Sequence, residues 1–148
     1  MKSSGWRIAL VLVAAAQAEI GLWGVLAPHS LFRSFPGFGH HWVAPLGPYN
    51  EHLLRDYAAS ELGLAVLLAA AAIWWERRLV LVGGTAFLVA TVPHFAYHLT
   101  TTDNLSTADN AVSLALFAIE ILVVAGAMLS VFATEPRSAA SHNRPKVL

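Results

Sequence analysis

Four apolar blocks, each long enough to cross a bilayer, leave this chain few folds to choose from. They run near Ile8–Ala27, Leu53–Trp75, Leu79–Leu99 and Ala111–Ala133. Crossing ~30 Å of hydrocarbon takes about 20 apolar residues as a helix. Inside lipid a span has to satisfy its own backbone hydrogen bonds, which selects helices. Only 12% of the 148 residues are charged, about half the share found in soluble domains. The expected fold is all-α: an integral membrane four-helix bundle forming one domain over residues 1–134. Residues 135–148 read as a polar, disordered tail.

Lys2, Arg7 and Ala16-Gln17-Ala18 resemble the parts of a signal peptide. The apolar run continues through Ile20–Ala27, however, so the first helix is expected to be retained. Positive residues set the orientation. Lys2 and Arg7, the Glu76-Arg77-Arg78 turn, and Arg137, Arg144 and Lys146 all fall on one side of a four-span chain. Both termini are therefore expected in the cytoplasm of a bacterium, with the chain multi-pass in the plasma membrane. The formal net charge is zero and points to no nucleic-acid partner. The absence of cysteine excludes disulfides, thiolate metal sites and thiol redox chemistry.

The opposite, outer side collects histidines. His29, His40, His41, His52, His94 and His98 lie at or just beyond the same ends of the spans, and only His142 lies elsewhere. The long outer loop, Pro28 to Asn50, interleaves Leu31, Phe32, Phe35, Phe38 and Trp42 with Pro36, Gly37, Gly39, Pro45, Gly47 and Pro48. Glycine and proline oppose one continuous helix there, and aromatics favour the membrane interface. The loop reads either as a lid over the bundle or as an aromatic anchor with no site beneath it. Asn50 is placed to cap the second long helix, with Glu51 in its first turn. Ser106-Thr107-Ala108-Asp109 has capping-box spacing, with Asp replacing the usual Glu. Pro93 interrupts the hydrogen-bond ladder near the end of the third. Gly21, Gly24, the Ala69–Ala72 run, Gly83, Gly84 and Gly126 suit close helix approach.

Three groups can carry chemistry. His94 and His98 are i and i+4 on one helical face, a spacing that lets both rings ligate one metal. Phe95 stands where a zincin has Glu, so that motif is absent. The plain alternative is a pair of interfacial histidines bonded to water and to carbonyls freed by Pro93. His52 and Asp56 are also i and i+4, beside a Glu51–Arg55 ion pair; Asp56 lies deeper, where an ionised group is expensive. Glu19, Glu61 and Glu120 fall about 12–15 Å from the outer ends of their helices, near the bilayer middle. They read either as a functional layer or as interhelical hydrogen bonding that serves packing.

On a helical wheel Glu61 is about 140° from Asp56 and about 180° from His52. One compact site does not use all three. The outer site is therefore expected to combine His52, Asp56, His94 and His98 as ligands of a divalent transition metal, with the carboxylates as a second layer or polar floor. His94, His98, Asp56 and Glu61 are the candidate catalytic or proton-moving groups. Arg55, Trp42 and Tyr97 are the candidates for contacting a bound cofactor. A di-iron centre is a minor reading, because the chain has no Glu-x-x-His. Haem between His52 and His94 is a further minor one, since no spacing demands it.

Gly-Pro-Tyr-Asn-Glu-His-Leu-Leu-Arg-Asp (47–56), Val-Pro-His-Phe-Ala-Tyr-His-Leu (92–99), the four short spans and the aromatic first loop resemble the DoxX-like group and uncharacterised four-span membrane proteins of actinobacteria. The resemblance covers most of Pro28 to Ala133. It implies a link to membrane redox systems and quinone chemistry, and transfers no catalytic residue. The related bundle that reduces vitamin K quinones depends on a cysteine pair, which this chain lacks. The expected function is a membrane oxidoreductase, or a subunit of one, binding a metal or a quinone-like lipid. The alternatives are a non-catalytic accessory or assembly subunit, and an oligomeric proton-coupled transporter. The expected partners are membrane lipids, with a membrane-protein partner or a second copy.

Overall fold

Four of the five α-helices among the described residues are long and apolar enough to cross a membrane. The computed structural model describes residues 2–133, and the tail with Arg137, His142, Arg144 and Lys146 lies outside them. The helices are α1 (Lys2–Leu26), α2 (Pro28–Ser34), α3 (Glu51–Trp74), α4 (Arg77–Thr100) and α5 (Thr107–Ala133). Between α2 and α3 lie a two-stranded antiparallel hairpin, β1 (Pro36–Gly37) with β2 (His40–His41), and a 3-10 turn at Ala44–Leu46. The turn of the hairpin puts Phe38 and its flanking glycines at positive φ, and the Phe38 ring is fully exposed. Each long helix is one to five residues longer than its apolar block, because polar residues at its ends extend it beyond the hydrocarbon-compatible core.

Local chemistry sets the helix ends. The Asn50 side chain accepts from the Leu53 amide at 3.1 Å and starts α3. Ser106 Oγ accepts from the Asp109 amide at 3.1 Å while donating to the Asp109 carboxylate at 2.7 Å, so the capping box forms with Asp. Trp75 ends α3 in the left-handed region, its amide donating to Ala71. Arg7 donates to the Ala72 carbonyl at 2.8 Å and to that of Ile73, tying α1 to the last turn of α3.

The four long helices form a ring in which α1 packs on α3 and α5, and α4 packs on the same two. The closest seam is α1 on α3. A Cβ added to Gly24 would lie 2.5 Å from the Ala58 Cβ, so only glycine permits this approach. The packed core gathers in one half of the bundle: Leu10 and Ala14 of α1, Leu68 and Ala71 of α3, Val80 and Phe87 of α4, Val124 and Ala127 of α5. The other half, beneath the 28–50 segment, is hollow.

Candidate functional site

That hollow is a cavity of about 910 Å³, at the upper end of the size range of small-molecule sites. Its roof is the 28–50 segment, through Leu31, Phe32, Phe35, Trp42 and Leu46. The roof coheres by ring contacts, Phe35 on Trp42 at 6.0 Å and Phe32 on Tyr49 at 5.2 Å. It is fastened at the far side of the ring. The Trp42 indole N–H donates to Asp109 at 2.9 Å, and His40 meets the same carboxylate at 2.7 Å. Asp109 is thus both helix cap and latch, a double duty that the spacing of Ser106 and Asp109 did not reveal.

The walls are mostly apolar, with polar groups converging from all four long helices. Gln17 comes from α1, Tyr57 and Glu61 from α3, Thr91, His94 and His98 from α4, Ser113 and Glu120 from α5. Gln17 Nε2 reaches the two Glu120 oxygens at 3.4 and 3.3 Å. Glu61 lies within electrostatic reach of Glu120, and Tyr57 stands one turn before Glu61 on the same face. The His94 and His98 rings meet through their Nε2 atoms at 3.1 Å, against the ring of Phe117, which is 4.8 Å from His94 and 5.3 Å from His98. Thr91 and Ser113 are buried, and neither hydroxyl has a hydrogen-bond partner among the described residues. No Lys or Arg lines the space.

The structure divides the sequence-predicted residues differently from the expectation. All six histidines do lie at the end of the bundle that carries the 28–50 segment, but only His94 and His98 face the cavity. His52 and Asp56 meet each other at 3.4 Å on the exposed side of α3, with side chains 89% and 64% exposed. The expected four-ligand set of His52, Asp56, His94 and His98 is therefore not assembled. No group of three or more metal-capable side chains occurs among the described residues. The same separation leaves no facing His52 and His94 for haem. The physical reason is the wheel angle itself: Asp56 and Glu61 point about 140° apart, and the α4 histidines lie on the side of Glu61. His29 packs on Tyr49 at 5.2 Å and His41 bonds the Arg33 carbonyl, so both make their contacts within the 28–50 segment.

The carboxylate layer is also corrected. Glu61 and Glu120 face the cavity, whereas Glu19 is exposed on the back of α1. It stands about 200° from the inward-facing Gln17. Gln17 takes the place expected of Glu19. Of the cofactor candidates, Trp42 lines the cavity. Arg55 is instead held by Glu51 at 2.8 Å and by the Val25 carbonyl, and Tyr97 is half-exposed with its ring on His98. Tyr57, Thr91 and Ser113 also line the cavity and are not legible in the sequence, because a hydroxyl in an apolar helix carries no signal until its neighbours are known.

No protein-family model, curated protein or solved structure matches the chain.

Proposed function

We propose that this protein is a multi-pass bacterial plasma-membrane protein, with both termini cytoplasmic and the lid outward, that binds one quinone-like lipid in its capped cavity and serves a membrane redox system in the manner of the DoxX-like group. The observation that carries the reading is the cavity's design: apolar and aromatic walls with a few converging polar groups, among which the Thr91 and Ser113 hydroxyls have no partner among the described residues. A flat, neutral ring with oxygens at its edges matches such a lining. Thr91 and Ser113 supply hydroxyl donors for carbonyl oxygens. His94, His98, Glu61 and Glu120 supply groups that hold or pass protons, and the usual carriers are of these types. Without Lys or Arg in the lining, a neutral ligand is favoured over an anion.

Titration of a short-chain naphthoquinone into the protein in nanodiscs tests this, with Trp42 fluorescence as the signal. Saturable quenching that is lost in Trp42→Phe, and weakened about tenfold or more in Glu120→Gln or His94→Ala at unchanged helicity, is expected; one lost hydrogen bond in a buried site has about that effect. Quenching that never saturates sinks the proposal.

A metal held by His94 and His98 is the second reading. Their 3.1 Å Nε2 separation approaches the ~3.3 Å between two nitrogens on one tetrahedral ion. The remaining ligands would come from the bound molecule or water, and zinc or cobalt titration with a His98→Ala control tests it.

A further inference from the structure

Glu19 is the residue that the cavity does not use. It is exposed on α1, it has no hydrogen bond or ion pair among the described residues, and it lies about 11 Å along the helix from Leu26. In the span reading, which this inference shares with the proposed function, that places a bare carboxyl among acyl chains. Such a group is expensive and ordinarily finds a partner. Its surroundings define the partner. Ile8, Leu12, Ala15, Glu19, Leu22 and Leu26 follow one another at alternating spacings of four and three, and all are exposed. This is the outward stripe of α1, and its four-three spacing matches the seam of a helix pair. Glu19 occupies a central position in it, and Ala15, one turn away, is small enough to let two backbones approach.

We propose that α1 docks on α1 of a second copy of this chain, with the two Glu19 carboxyls paired across the two-fold axis. A neutral carboxylic acid is both donor and acceptor, so it is complementary to itself. A two-fold axis brings each seam residue near its own copy. No other face of the molecule has to supply a cation. A single polar residue at such a seam position fixes register and partner number, and here it would hold two cavities on opposite sides of one dimer.

The chain contains no cysteine, so Leu22→Cys is a clean reporter in the full-length protein in lipid vesicles. Disulfide crosslinking is expected through Leu22→Cys and not through Val66→Cys on the exposed face of α3. Dimerisation measured by energy transfer should weaken about tenfold in Glu19→Leu and persist in Glu19→Gln, whose amide also donates and accepts. A monomeric wild type, crosslinking through Val66→Cys instead, a Glu19→Leu dimer as tight as wild type, or a Glu19→Gln dimer as weak as the leucine variant would each overturn the inference. Quinone quenching on the same variants reads the cavity separately, and resistance to alkaline carbonate extraction reads the span assignment on which both rest.

Discussion

Replacing Gly24 with alanine tests whether the α1–α3 seam is held by contact too close for any side chain. The added Cβ would sit 2.5 Å from the Cβ of Ala58, which is fully buried. Carbon atoms pack at about 3.5–4.0 Å, so the two helices have to part locally by about 1–1.5 Å. Neither methyl can rotate away, since a Cβ is fixed by its backbone. Overpacking of this kind costs about 1–3 kcal/mol, and the better helix propensity of alanine offsets up to about 1 kcal/mol. The expected net loss is about 1–2 kcal/mol. Between helices in lipid there is little hydrophobic drive to compensate, so lost contact is lost association. The displacement also bears on the site, because Glu61 follows Ala58 by less than one turn. Denaturation in mixed micelles, followed by far-UV circular dichroism, measures the loss. Ala58→Gly alone should also destabilise, through the missing methyl and the glycine. Combined with Gly24→Ala it should restore most of the stability, giving a coupling of about 1–2 kcal/mol of opposite sign to the single effects. A Gly24→Ala variant as stable as wild type, or a double variant whose losses simply add, would refute the close-seam argument.

Trp42→Phe keeps a ring in the roof but removes the N–H that Asp109 accepts. The Trp42 amide position, which donates to the Phe35 carbonyl at 2.8 Å, should then exchange its hydrogen about tenfold faster, with the α1 and α3 cores unaffected; unchanged exchange there means that the latch does not hold the lid. His52→Ala and Asp56→Ala should leave the proposed quinone binding within about threefold of wild type and stability within about 0.5 kcal/mol, because their side chains face away from the cavity. A large loss of binding in either variant, read by the same Trp42 quenching, would return these residues to the site. Lid closure should also depend on Asp109 beyond its capping role: Ser106→Ala removes the cap alone and should accelerate lid exchange less than Asp109→Ala does.

The positions of the helices follow from the order of the amino acids alone. Runs of apolar residues of fixed length admit one backbone solution in lipid, and Asn50 and Ser106 mark helix starts through contacts confined to a few neighbouring residues. That order also placed six histidines at one end, because position along a helix gives depth directly. It did not decide which of those histidines share a cavity with the deep carboxylates. Inward or outward facing is a matter of rotation about each helix axis, and a span that is apolar all round carries a weak rotational signal. Only the packing of α1 on α3 through Gly24 and Ala58, and of α4 beside α5, turned Glu61, His94, His98 and Glu120 into one space, while Glu19, His52 and Asp56 stayed outside it.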